Sequence, residues 1–381
     1  MKWAEIRREF PICLENAYLM SASIGPLPIQ TCDAIKEHAN YLMETSAIGE
    51  FKYFEDVEVT RQSAAHLLGA NKDNIGFSPN TSFSMNILAM LLKQKTKKRQ
   101  VIIPRDEFPA STLPWIKQGF EIRWVNSSES RIDINSIKEL IDEQTAAVIH
   151  SGVQFATGFR QDLKKLGAIL EEQEIPFIVN GTQLLGAFPV DVKEIKAMAL
   201  TASCHKWLCA GLGINITYMN SKFLEGTKWP LAGWGSNKDV WKLDNEQLNM
   251  RSEVSAIEIG SFSSLNITAL NEAIKFYQQL DPQAAAQRIL ELSDELYRGL
   301  KNAGIQVISA CDPIEAGIQS CNSGIISFKA SNSAELVKHL ASQKIYTSDR
   351  SGLVRAAVHY FNDESDLKKL MAALKATCNF S

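Results

Sequence analysis

The chain of 381 residues has no apolar run approaching the ~20 residues that a membrane span requires. Its first stretch, MKWAEIRREFPICLEN, lacks the apolar core of a secretory signal. Excess charge is missing as well: 40 Lys plus Arg stand against 43 Asp plus Glu, a net charge of -3, and neither sign gathers into a long block. Nucleic acid and anionic membranes are therefore not expected partners. The seven cysteines are an odd number with no CxxC pair and no His-rich zinc spacing. They read as reduced thiols of a soluble cytoplasmic protein, and no metal site is expected. Internal repeats, low-complexity tracts and flexible linkers are absent too, which excludes solenoid and disordered classes. What remains, 45% hydrophobic and 22% charged, is an ordinary globular composition. Because single cores stop growing beyond roughly 250–300 residues, this length suits two tightly joined domains with a cleft.

From about residue 74, short apolar runs alternate with amphipathic stretches, the pattern of a mostly parallel sheet covered by helices. NIGFSP, QVIIP, AAVIHSGV, PFIVN, ALTAS and INITYM are the strand candidates, and FRQDLKKLGAILEEQE is the clearest intervening helix. Met85, Leu88, Ala89 and Leu92 recur at helical spacing directly after the first of these strands. Helix starts that follow strand ends are where open α/β sheets collect ligands. Beyond EIGSFSSLNI the spacing predicts a long helix over Gln287 to Asn302 with Gly304 as its stop, and then a smaller α/β unit: GIISFK, SAELVKHLASQ, VRAAV and DESDLKKLMAALK.

Three polar clusters interrupt this apolar framework. Ser203-Cys204-His205-Lys206-Trp207 leaves the end of the strand ALTAS. A lysine is ordinarily a solvated surface group, but one leaving a buried strand end can be desolvated enough to act as a Schiff-base nucleophile near neutral pH. Asn180-Gly181-Thr182-Gln183 closes the strand PFIVN. It either turns the chain, which Asn-Gly does well, or holds the ring nitrogen and phenolic oxygen of a pyridine cofactor. Asn80-Thr81-Ser82 opens the helix containing Met85. Such residues cap helices, and the same N–H groups and hydroxyls bind phosphate dianions.

Together with YLMSASIGPLP, DEFPASTLPW, SGVQFATG, VNGTQLLGAFPVDV, EIGSFSSLN and VRAAVHYFNDESDL, these segments resemble the class V aminotransferase and cysteine desulfurase family of pyridoxal-phosphate enzymes, over nearly the whole chain. The resemblance implies the type I aminotransferase fold: a large α/β domain at residues 20–265 with a mostly parallel, seven-stranded sheet, and a small α/β domain from residues 1–19 and 266–381. It implies pyridoxal 5'-phosphate as cofactor, with Lys206 forming the Schiff base and moving the substrate's α-proton. It implies that Thr81, Ser82, Ser203 and His205 hold the phosphate, with Ser261 reaching it from the neighbouring subunit of a homodimer. Gln183 would bond the phenolic oxygen and Phe108 would stack on the ring, although Phe108 also suits a plain core position. Arg355 would clamp the carboxylate of a small amino-acid or keto-acid substrate.

The chain departs from that pattern in two places. Asn180 stands where the family carries an acid, so the charge that makes the ring a strong electron sink is missing. This is compatible with weakened catalysis, with a non-catalytic cofactor-binding homologue, or with deamidation of Asn180-Gly181 back to an acid. The stretch Ile345 to Gly352 also contains no cysteine, which disfavours persulfide transfer, and Cys321 is too early in the chain to replace it. An aminotransferase is therefore the leading expectation, with cysteine or selenocysteine lyase-like, kynureninase-like and epimerase-like chemistry as variants. The loops SASIGPLP and Gly233-Trp234-Gly235 are expected to shape substrate choice.

Overall fold

The computed structural model describes residues 2–310 and 323–376, leaving aside the side chains of residues 49–51. Its strands are β1 (Ala17–Tyr18), β2 (Ile75–Ser78), β3 (Gln100–Pro104), β4 (Glu121–Val125), β5 (Thr145–Ser151), β6 (Phe177–Asn180), β7 (Ala199–Ser203), β8 (Asn215–Met219), β9 (Ile325–Phe328), β10 (Ile345–Tyr346), β11 (Ser348–Arg350) and β12 (Leu353–Ala357). Seven of them form one sheet in the order β2-β8-β7-β6-β5-β3-β4. Only β8 runs antiparallel to its neighbours; the other pairings are parallel.

Alternation along the strands divides the large core into two layers. Ile149, Ile178 and Ala199 face a layer with Met85, Leu88 and Leu92 of the helix Thr81–Lys95. Val148, Val179 and Leu200, one residue away, face Leu166 and Leu170 of the helix Leu163–Glu172. A sheet covered on both faces needs apolar residues at every position, which is why β2 and β5 to β8 read as continuous apolar runs. Each fully buried Val, Leu or Ile contributes about 1.5–3 kcal/mol. β4, EIRWV, buries only Val125 fully and sits at the sheet edge, so the sequence pattern did not mark it as a strand.

A second, antiparallel sheet of order β11-β12-β9 is covered by the helices Pro282–Asn302, Ser333–Ser342 and Glu364–Ala376. Leu292, Leu296 and Leu300 pack there against Ile326, Val354 and Leu370. The first helix begins at Pro282 rather than Gln287, because the Asp281 carboxylate accepts the Gln283 N–H at 3.0 Å and Pro282 is preset for the first turn. The N-terminal stretch joins this unit: β1 pairs in parallel with β10, and Arg7 donates to Asp366 at 2.7 Å and 2.9 Å. No helix among the described residues is long and apolar enough to cross a membrane.

Candidate active site

Strands β2, β5, β6 and β7 are mutually parallel, so the residues that follow their C-terminal ends meet at one edge of the sheet. There they line a cavity of about 460 Å³, closed from the other side by Ser23 and Ile24 and by Arg350 and Arg355 of the small sheet. Of the residues expected from sequence, Thr81, Ser82, Phe108, Asn180, Gln183, Ser203, His205, Lys206 and Arg355 all line this cavity. Ser261 does not: it is exposed and borders a separate hollow with Tyr53 and Phe262. Gly233, Trp234 and Gly235 are also absent from the lining. Cys311, Cys321 and Cys378 lie outside the described residues.

One end of the cavity is built from neutral hydroxyls. Asn80 caps the helix Thr81–Lys95 by accepting the Phe83 N–H at 2.9 Å, so the capping role is real and does not draw on the Thr81 or Ser82 hydroxyl. Thr81 Oγ1 lies 2.8 Å from Thr182 Oγ1 and 2.9 Å from Ser203 Oγ, and it donates to Asn215 Oδ1 at 2.9 Å. Behind them Asn215, fully buried, places Nδ2 within 3.0–3.2 Å of the hydroxyls of Ser78, Ser84, Thr201 and Thr217. His205 stays neutral: burial first, and then the Lys206 charge, push its pKa down to about 4.

Lys206 stands between this cluster and the arginines. Burial, followed by the charges of Arg355 and Arg350, lowers its pKa to about 7. Its backbone is covered by the loop after β1. Gly25 donates to His205 O at 2.8 Å, and a Cβ on Gly25 would lie 2.0 Å from Lys206 O, so only glycine allows the loop this close. The Phe108 ring lies 5.7 Å from Lys206 Nζ and is 47% exposed. A plain core role for Phe108 is thereby removed.

The two amides of the middle strand end are held at fixed angles. Asn180 Oδ1 accepts the Thr182 N–H at 3.0 Å and Nδ2 donates to the buried Ser111 Oγ at 2.9 Å. Gly181 N donates to Thr201 O at 2.8 Å, so the nitrogen that deamidation would use as nucleophile is engaged in the sheet, which argues against that route. Gln183 donates to Ala22 O at 3.0 Å and accepts from Trp207 Nε1 at 2.7 Å. The Trp207 carbonyl in turn lies 3.0 Å from His359 Nε2, beneath a stacked Trp207–His359 pair.

Arg355 is 1% exposed and forms no ion pair among the described residues, which removes the surface-pair reading. It donates from Nε to Ser348 Oγ at 3.1 Å, from Nη1 to Phe155 O at 2.6 Å and from Nη2 to Ser23 Oγ at 2.8 Å. Burial and the neighbouring Arg350 lower its pKa to about 9. Sequence reasoning missed Ser111, Asn215 and Arg350, and it met Thr182 and Ser23 only inside the cluster Asn180–Gln183 and the loop SASIGPLP, without a role of their own. Of the three missed, Arg350 carried a usable signal: Ser351-Gly352 is a hairpin turn, and across it Arg350 and Arg355 share a face.

The family model Aminotransferase class-V matches residues 17–370. A probable cysteine desulfurase of Methanothermobacter thermautotrophicus is 24% identical, with 98% of each chain covered. An uncharacterized aminotransferase, YcbU, of Bacillus subtilis is 20% identical over 98% of this chain and 97% of its own. Among solved structures, the cystine C–S lyase C-DES in complex with cysteine persulfide superposes with a TM-score of 0.88 at 20% identity, covering 98% of this chain and 100% of that one. The apo cysteine desulfurase of Thermococcus onnurineus gives 0.88 at 20% identity, with 98% and 97% covered. The chain belongs to the class V aminotransferase family of pyridoxal-phosphate-dependent enzymes.

Proposed function

We propose that this protein binds pyridoxal 5'-phosphate in the cavity and transfers the amino group of a small amino acid to a keto acid, with Lys206 as the Schiff-base lysine. The carrying observation is an amine of pKa about 7 at a buried strand end, flanked by a hydroxyl cluster on one side and a buried guanidinium on the other. The cavity fits the cofactor: about 460 Å³, first-turn hydroxyls for a phosphate, a half-exposed aromatic ring and two amides with an N–H to spare. When bound, the cofactor supplies an aldehyde that condenses with amines and a ring that draws electrons from the α-carbon.

In this reading Thr81, Ser82, Ser203 and neutral His205 hold the phosphate, Gln183 donates to the phenolic oxygen, and Phe108 lies along the ring. Asn180 meets the ring nitrogen with an amide rather than a carboxylate. Arg355 keeps one N–H on each terminal nitrogen for the substrate's α-carboxylate. Lys206 Nζ, uncharged above about pH 7, takes the α-proton and returns it. Ser261, exposed and outside this cavity, is assigned to the neighbouring subunit's phosphate in a cytoplasmic homodimer.

A second reading, elimination of a β-substituent as in the C–S lyase neighbour, is favoured by Asn180. The Asn180 amide carries no charge with which to hold a proton on a ring nitrogen, so a reaction that releases the electron pair with a β-leaving group would ask less of this residue than one that must store it. Persulfide transfer is not proposed: β11 and β12 are joined by Ser351 and Gly352 alone, and no described cysteine lines the cavity. A cofactor-binding homologue without catalysis is opposed by the joint presence of Lys206, Gln183 and Arg355.

Purified protein mixed with pyridoxal phosphate should develop the visible absorption of a lysine-bound cofactor, and Lys206→Ala should abolish it. No band in the wild-type protein would end the proposal. With a panel of amino acids, conversion to the amine form of the cofactor supports transfer, whereas pyruvate or sulfide release without conversion supports elimination.

A further inference from the structure

The β11–β12 hairpin brings two arginines into the cavity. Ser348 pairs with Arg355 and Arg350 with Leu353. Opposed residues of an antiparallel pair, and residues two apart along a strand, share a face, so Ser348, Arg350, Leu353 and Arg355 project together. The register is pinned by a two-residue turn, Ser351 at φ 54° and Gly352 at φ 76°, the doubly left-handed geometry of tight hairpins.

Arg350 Nη1 donates to its neighbour's carbonyl, Asp349 O, at 2.8 Å, and Nη2 donates to Ser23 Oγ at 3.3 Å. Ser23 Oγ also accepts from Arg355 Nη2 at 2.8 Å. One hydroxyl thus links both guanidiniums, and its own proton is free to donate. Arg350 retains three of its five N–H groups and Arg355 retains two. Among the described residues no carboxylate pairs with either arginine or with Lys206. Like charges in one cavity without a counter-ion repel each other, and a ligand bearing two negative groups offsets both. The opposite end of the cavity already offers the side chains of Thr81, Ser82, Ser203 and His205 to a phosphate, so these arginines are not needed there.

We propose that the substrate is an amino dicarboxylic acid, its side-chain carboxylate read by Arg350 and Ser23 while Arg355 holds the α-carboxylate. This rests on the cofactor and on the role of Arg355 given above. Arg350 is then a specificity residue, and a monocarboxylic amino acid would leave its N–H groups without a partner.

The test uses cofactor-loaded protein and unreactive acids of matched length: succinate against butyrate, and glutarate against valerate, titrated by calorimetry. A charge-assisted pair predicts a diacid preference of roughly 10- to 100-fold. Arg350→Gln should erase that preference while leaving butyrate within roughly twofold, and Arg350→Lys should restore part of it. Arg355→Gln should weaken both acids; if it does not fold, Ser23→Ala, which removes the hydroxyl shared by both guanidiniums, should weaken the diacid more than the monoacid. Equal affinity for diacid and monoacid overturns the proposal, as does equal weakening of both acids by Arg350→Gln. Weaker cofactor binding in Arg350→Gln, read from the visible band, overturns it by assigning Arg350 to the phosphate. Failure of the wild-type protein to bind the cofactor is a separate result, read from that band before any acid is added.

Discussion

The two ends of the cavity solve opposite problems. At one end Thr81, Thr182, Ser203 and Asn215 are neutral and satisfy one another, so their positions are set before any ligand arrives. At the other end Arg350 and Arg355 carry like charges with no acidic partner among the described residues, and burial together with their repulsion drives the proton from neighbouring Lys206 near pH 7. The first arrangement stabilises the folded chain and the second costs stability, because buried like charges repel. A site that receives a fixed cofactor and an exchanging substrate is served by this division: the saturated end gives shape, and the unsaturated end gives affinity for what comes and goes.

The largest contrast should appear in stability. Asn215→Leu would strand several buried hydroxyls and is expected to cost about 2–4 kcal/mol in urea denaturation. Arg350→Gln, removing one of the like charges, should leave stability within about 0.5 kcal/mol or raise it. Comparable losses in both variants would break the comparison.

A pH series on the cofactor-free protein sharpens it further. Lys206 titrates near pH 7 when folded and at its ordinary 10.5 when unfolded. Below pH 7 both states hold the proton and the full cost of the buried charge is present. Between pH 7 and 10.5 the unfolded chain binds more protons, so stability should rise with pH through that window. Lys206→Met should remove this contribution to the slope, and Arg350→Gln should move the folded titration upward; a slope unchanged in Lys206→Met would refute the assignment.

The smallest effect is expected at Ser82, which is exposed at the rim of the hydroxyl end. Ser82→Ala should alter stability by less than about 0.5 kcal/mol. Its cofactor affinity should fall by roughly two- to tenfold, one neutral hydrogen bond. A larger loss of either kind would mean that the rim is coupled to the Asn215 network.

Much of the fold was legible because burial on both faces forces unbroken apolar runs. QVIIP, PFIVN, ALTAS and INITYM are strands for that reason, and the clusters after PFIVN and ALTAS line one cavity because parallel strands deliver their ends to one edge. EIRWV was hidden by its edge position, where one side of the pleat is free to be polar. The long helix was placed five residues late because its apolar period was followed instead of the Asp281-Pro282 start signal. Of the residues that received no role from sequence, Ser111 looked like an ordinary small polar residue, Thr182 like one more member of its cluster, and Ser23 gains its meaning from Arg355, 332 positions away.

By itself the sequence determined the sheet, through apolar runs and their polar ends, and its motifs carried the resemblance to the family and the expectation for Lys206. Only the tertiary structure decided that Asn215 organises the hydroxyl end, that Asn180-Gly181 is held against deamidation, and that Arg350 joins Arg355 around Ser23. Those outcomes depend on distances between residues far apart in the chain and on which charges find a partner, quantities that exist only once the chain has closed on itself.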